Sequence, residues 1–298
     1  MKFRILSVLA AVAVLFSSCG GGASSSNGNA ADSGAQAQEP AAQKEIKMAL
    51  VDGWAEGVAM THLATEILQA QGYEVTVKKA AVDLVFASLA NGDLDVFMDV
   101  WLPVTHGPKV EKFGDKIEQV GVNYDAARIG LVVPKYVEID KIEDMNAHAE
   151  KFEGKIIGVE SGAGITARTN AAIEEYGLNL EQVNSSTIAM LAELKKAIDE
   201  NRWLVVAGWI PHWKFGRYEL KFLEDSKGVY GAAETIETYC RKGFKETDPM
   251  AAKFFANFHL DEAQMADLLL KMEGEGEKSE IAQQWMNDNK ELVEGWLK

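Results

Sequence analysis

Three tryptophans stand where apolar runs give way to turns: Trp54 after Ile46 to Val51, Trp101 after Leu94 to Val100, and Trp209 after Leu204 to Gly208. The last two belong to near-copies of one design, Trp101-Leu102-Pro103 with His106 beyond it and Trp209-Ile210-Pro211 with His212 beyond it. The π face of an indole attracts a cation, above all a quaternary ammonium, which cannot hydrogen-bond and sheds water readily. Any single tryptophan is most often a packing residue. Three at strand ends can instead form a box, each face contributing about 0.5–2 kcal/mol. A fourth run, Lys155 to Glu160, enters Ser161-Gly162-Ala163-Gly164-Ile165-Thr166 ahead of a helix. Bare backbone N–H groups at a helix start welcome a small anion, a phosphate or a carboxylate. A tight strand-to-helix turn without a ligand has the same spacing. His106 is a candidate donor to such a carboxylate, or a loop histidine satisfied by backbone. A cation box and an anion nest together suit a small zwitterion.

Other chemistries lack their residues. No Gly-Lys-Ser/Thr follows the glycine turn, and its spacing is not that of a dinucleotide fingerprint. There is no His-Glu-x-x-His and no Cys/His cluster, so neither a metal nor a cofactor is expected. The surroundings of Ser161, Gly158-Val159-Glu160-Ser161-Gly162, are not a nucleophile elbow, and no acid/base pair accompanies it. No catalytic residue is assigned. Of the remaining histidines, His62 falls within a helical pattern, His148 and His259 read as solvent-facing, and His212 as a cap of the turn before Trp213.

The elements that must position these groups alternate short strands with longer helices. Ile46 to Val51 is a strand, and Gly57 to Gln71 carries Met60, Leu63, Ile67 and Leu68 at helical spacing before Gly72. Tyr73, Val75 and Val77 alternate as a strand, Val82 to Ala90 is helical with Asn91-Gly92 as its stop, and Leu94 to Val100 is the next strand. The β-branched run Arg128 to Pro134 leaves this first half. The plan then repeats: strand Lys155 to Glu160, helix Ile165 to Tyr176, a strand near Val183, helix Thr187 to Glu200 and strand Leu204 to Gly208. Thr235 to Arg241 is a strand and a candidate second crossing, followed by helices Pro249 to Phe258, Asp261 to Met272 and Ser279 to Asn287. The alternation predicts an α/β protein with parallel sheets covered on both faces. In such sheets ligands gather at the carboxyl ends of strands, where these aromatic and glycine positions fall.

The 298 residues, 47% hydrophobic and 25% charged, suffice for two lobes with cores of their own. A net charge of -15 argues against nucleic acid, whose phosphates need a basic surface. Residues 1–18 read as a targeting segment: Lys2 and Arg4, the apolar core Ile5 to Phe16, and Ser17-Ser18 before Cys19. It resembles a bacterial lipoprotein signal that would leave a lipid on Cys19, with Phe16 where leucine is usual; an ordinary secretory signal with an incidental Cys19 is the alternative. The apolar run is too short for a bilayer span of ~20 residues. Residues 19–43, rich in Gly, Ala, Ser, Asn and Gln, read as a tether. Cys240 is the one other cysteine, so no internal disulfide is expected.

With these residues in view the chain resembles the glycine betaine binding proteins of osmoprotectant ABC importers, of the OpuAC/ProX kind. The resemblance runs from Lys44 to Lys298 through GWAEGVAMTHL (53–63), NGDLDVFMDVWLPVTH (91–106), NYDAARIGLVVP (123–134), GAGI (162–165), GWIPHW (208–213) and ETIETYCRKGF (234–244). It implies a two-lobed periplasmic-binding-protein fold of type II, with two hinge crossings and the ligand in the interlobe cleft: 44–133 plus 236–298 as one lobe, 134–235 as the other. It further implies a three-tryptophan prism around a trimethylammonium, matching Trp54, Trp101 and Trp209. The carboxylate would meet the amides of Gly164 and Ile165 and the side chain of His106. Relatives often carry Asp-Pro where this chain has Glu160-Ser161, which bears on the turn's rigidity and not on its amides. The expected partners are a small zwitterion, an ABC permease with its ATPase, and a membrane reached through the lipid on Cys19, with the protein a monomer outside the cytoplasm. A choline- or carnitine-binding protein of the same class, a sensory or adhesive surface lipoprotein, and an exported enzyme acting on a small quaternary amine are the alternatives.

Overall fold

The first strand, β1 (Glu45–Leu50), leads through Trp54 into α1 (Ala55–Ala70) in the computed structural model, which describes residues 44–298. The targeting segment, Cys19 and the tether lie outside the described residues. Helix α1 forms because Met60, Leu63, Ala64, Ile67 and Leu68 recur on one face, which is buried against β1 and the C-terminal helices. Next come β2 (Glu74–Lys79), α2 (Val82–Asn91) and β3 (Val96–Leu102). Gly92 ends α2 at φ +80°, a left-handed conformation that few side chains tolerate. Strands β2 and β3 flank β1 and run parallel to it.

After α3 (Gly107–Phe113) the chain enters β4 (Ile117–Pro134), an 18-residue strand shared by two sheets. The second sheet is built from β5 (Lys155–Ile157), α4 (Gly164–Tyr176), β6 (Glu181–Val183), α5 (Thr187–Asp199), β7 (Val206–Ile210), α6 (Lys214–Arg217) and β8 (Leu220–Phe222). The chain returns to the first sheet as β9 (Glu234–Arg241) and ends in α7 (Phe244–Thr247), α8 (Pro249–Asn257), α9 (Glu262–Glu273), α10 (Lys278–Asp288) and α11 (Lys290–Trp296). Asp261 caps α9 in a full capping box with Gln264. No helix among the described residues is long and apolar enough to cross a membrane.

The sheets are mixed rather than parallel, which corrects the expectation from alternation. Parallel pairing holds within each βαβ unit, β1 with β2 and β3, and β5 with β6 and β7. The long strand β4, shared by both sheets, and the returning strand β9 run against their neighbours. Accordingly β9 is antiparallel to β3 and β4, and β4 is antiparallel to β7 and β8. Strand β4 pairs with β9 as far as Ala127 and with β7 from Arg128, so the passage between sheets falls between these residues. The return passage is the segment between β8 and β9.

Candidate functional site

The site lies where the carboxyl ends of β1, β3, β5 and β7 face one another across the two sheets. One narrow cavity, of about 30 Å³, is lined by all six residues singled out in the sequence: Trp54, Trp101, His106, Gly164, Ile165 and Trp209. Glu56, Thr105, Ile129, Val159 and Ala163 complete its wall. The three indoles are nearly buried, at 6%, 3% and 4% exposure for Trp54, Trp101 and Trp209.

Each indole N–H is held by a carboxylate, and the sequence reading missed all three. Trp101 Nε1 donates to Asp99 Oδ1 at 2.7 Å, Trp209 Nε1 to Glu56 Oε2 at 2.9 Å, and Trp54 Nε1 to Glu160 Oε2 at 3.4 Å. Asp99 was legible in principle. It interrupts an apolar strand two residues before Trp101, and residues i and i+2 of a strand share a face. Glu56 and Glu160 carry no such local signal, since their partners lie 153 and 106 residues away.

Burial governs the charges here. It pushes Glu56 up to about 7, opposed by the hydrogen bond from Trp209, and it pushes the Lys214 ammonium down to about 7, opposed by Glu56. Burial and the neighbouring Glu56 together hold Asp99 well above the usual carboxylate range. Lys214 does not line the cavity; its Nζ donates to the Trp209 carbonyl at 3.0 Å and lies 4.4 Å from the centre of the Trp209 ring.

His106 is set by its own loop. Its Nδ1 accepts the Trp101 backbone N–H at 2.9 Å, and its backbone N–H donates to the Trp101 carbonyl at 2.9 Å. The ring proton of the neutral form therefore sits on Nε2. That Nε2–H is buried and has no partner, and burial holds the ring neutral down to about pH 3. The ring stacks beside Trp54 at 5.7 Å between centroids, 14° from parallel. Glu234 fixes the loop by accepting from Val104 N at 2.7 Å, Thr105 N at 2.8 Å and Thr105 Oγ1 at 2.5 Å.

At the opposite wall, α4 begins with no side-chain cap at Ala163, so the N–H groups of Gly164 and Ile165 are among those that no helical carbonyl can satisfy. The cavity thus brings together three indoles, a type of ring whose face suits a cation, and N–H donors of the type that suit an anion. The other histidines take no part. His212 is buried with Nδ1 accepting from Lys214 N. His148 and His259, expected in solvent, are half-buried, the one against Trp203 and the other 3.1 Å from the Val122 carbonyl.

Two α/β lobes with an aromatic cavity at the ends of their strands have the fold of the two-lobed periplasmic-binding-protein type. The chain belongs to the family of substrate binding domains of ABC-type glycine betaine transport systems, whose family model matches residues 44–288. It is 40% identical over 150 residues to the glycine betaine/carnitine transport binding protein GbuC of Listeria monocytogenes, a match covering 49% of this chain and 50% of that relative. The match thus spans half the length of that curated protein. Lactococcal OpuAC, solved in its closed-liganded conformation complexed with glycine betaine, superposes with a TM-score of 0.81 at 32% identity, over 86% of this chain and 100% of that one. A choline binding protein of an ABC transporter, solved in complex with choline, gives 0.79 at 28% identity over 87% and 93%.

Proposed function

We propose that the chain captures glycine betaine, or a closely related quaternary-ammonium zwitterion, between its lobes and delivers it to an ABC permease driven by an ATPase. The observation that carries this reading is the unpartnered His106 Nε2–H, an anion-seeking donor in the same cavity as three indole faces. In the proposed complex Trp54, Trp101 and Trp209 surround the trimethylammonium, while His106 and the amides of Gly164 and Ile165 receive the carboxylate. Residues 44–133 with 236–298 supply one half of the cage and 134–235 the other. No bond is made or broken. The signal and Cys19 would place the protein outside the cytoplasm as a monomeric lipoprotein tethered through 19–43. Micromolar binding requires about 8 kcal/mol. Three cation–π faces and charge-assisted hydrogen bonds in a dry site are of sufficient size.

Choline is the second reading, favoured by the likeness to the choline-binding structure. It keeps the trimethylammonium and lacks the carboxylate, so it would leave the donors of His106, Gly164 and Ile165 unmatched. Calorimetric titration with both ligands separates the two. Glycine betaine should bind at micromolar concentration and choline at least tenfold more weakly, and Trp101→Ala should lower betaine affinity tenfold or more, as expected for one lost π face and its packing (about 1.4 kcal/mol per tenfold). An absence of heat at millimolar betaine would refute the reading, and equal binding of choline would refute the carboxylate site.

A further inference from the structure

The indole N–H groups of the cage are paired in a pattern that a cage alone does not require. Trp101 donates within its own lobe, to Asp99 on the same strand. The other two donate across the cleft, and in opposite directions. Trp54, ahead of α1 in the first lobe, reaches Glu160 beyond β5 in the second; Trp209, on β7 in the second lobe, reaches Glu56 on α1 in the first. Each acceptor is anchored on its own side. Glu160 also accepts from the N–H and hydroxyl of Thr187 at the start of α5, at 2.7 and 2.9 Å. Glu56 sits in the first turn of α1, 1% exposed.

We propose that Glu56 and Glu160 are the two latches of lobe closure, each holding a cage tryptophan of the opposite lobe, so that the movement which completes the cation box also locks the lobes together. The inference rests on the betaine reading for its ligand and names positioning residues that act through the tryptophans. With the lobes apart, water hydrates both carboxylates and both indole N–H groups. On closure the carboxylates lose that water, a loss offset only where an indole N–H arrives at hydrogen-bond distance. Closure is therefore conditional on where the rings come to rest. A cation small enough to let Trp54 and Trp209 seat against their acceptors engages both latches; a bulkier head that holds a ring an ångström away leaves the buried Glu56 or the half-buried Glu160 without its indole donor. Selection by size thus resides in two hydrogen bonds between protein groups of opposite lobes.

Glu160→Gln is the direct test. The amide oxygen, in the place of Oε1, still accepts from the Thr187 backbone N–H, while the NH2 group, in the place of Oε2, faces the Trp54 N–H and donates to the Thr187 hydroxyl, which turns to accept it, so the latch is lost with its anchor retained. In the full chain this variant should lower glycine betaine affinity about tenfold, the usual scale for a charged acceptor made repulsive to its donor. The loss should fall on the dissociation rate, followed by stopped-flow tryptophan fluorescence, with the association rate and the melting temperature of the unliganded protein unchanged. Trp54→Phe removes the donor and keeps a ring, and in that background Glu160→Gln should have almost no further effect. Glu56→Gln against Trp209→Phe is the second cycle. Because Glu56 is fully buried, the Glu160 pair decides the matter where Glu56 variants do not fold. Wild type binding betaine with additive cycles overturns the latch and leaves the function standing. Wild type giving no heat overturns both.

Discussion

His106 illustrates how one residue is prepared for a task by its surroundings. Its ring is fully buried, its Nδ1 is engaged by Trp101, and burial lowers its pKa to about 3 from the ordinary 6.5. The donor at Nε2 is thus present across the whole physiological range, and a carboxylate partner would meet a neutral N–H rather than an imidazolium. The same depression has a consequence for stability. The unfolded chain binds a proton at His106 near pH 6.5 and the folded chain only near pH 3, so the contribution of this residue is fully present above about 6.5 and is lost progressively as pH falls toward 3. His106→Phe, which keeps the stack beside Trp54 and removes the titration, should flatten that part of the decline in thermal stability. Melting temperatures of wild type and variant between pH 7.5 and 4 test this; parallel curves would mean that His106 does not carry the shift. The variant also lacks the donor at Nε2 and should bind betaine several-fold more weakly at pH 7.5, the loss of one hydrogen bond to a charged group.

At the scale of elements, the site depends on how closely the start of α4 approaches the loop after β3. A Cβ added at Gly164 would lie 2.2 Å from the Thr105 carbonyl oxygen, which Glu234 holds in place through the neighbouring amides. The glycine is needed for this approach and not for its dihedral angles. Gly164→Ala should leave each lobe folded, with a melting temperature within a few degrees of wild type, and weaken betaine binding tenfold or more by keeping the amides from their closing distance; unchanged affinity would show that α4 has slack. The same scale explains what could be read in the sequence. Trp54, Trp101, Trp209 and the glycine turn were visible because each interrupts a strong periodic pattern. The first half of β4 was not, because its register against β9 shifts after Gln119, Val122 and Tyr124, which destroys the two-residue alternation of a strand. Gly121 within it faces the Phe255 carbonyl, where a Cβ would come within 2.5 Å, so even its glycine reports on α8 and not on a local turn. The acceptors Glu56 and Glu160 were silent for a related reason: each is polar at a helix start or strand end, where a solvated carboxylate is ordinary, and only the opposite lobe gives it a partner.

For the whole molecule, the cavity walls are divided between two sheets joined by β4 and by the return into β9, so a ligand that touches both walls would bind the closed, folded chain and have little to hold in either lobe alone. Its binding free energy must then appear as added stability. At a concentration a hundred times Kd the gain is about 2.7 kcal/mol, and for a folded region of this size 1 kcal/mol moves the melting temperature by about 2–4 °C. Glycine betaine at that excess should therefore raise the melting temperature by about 5–10 °C. Glycine is the informative control, because it has the same carboxylate and charge separation but an ammonium with three N–H donors that keeps its water. An indole face repays that dehydration poorly, whereas methyl groups around the nitrogen have none to lose. Scanning calorimetry at matched millimolar concentrations should give the full shift with glycine betaine and almost none with glycine. Equal shifts from the two would mean that the cavity recognises the carboxylate end alone, and that the three tryptophans serve the packing of the interface between lobes.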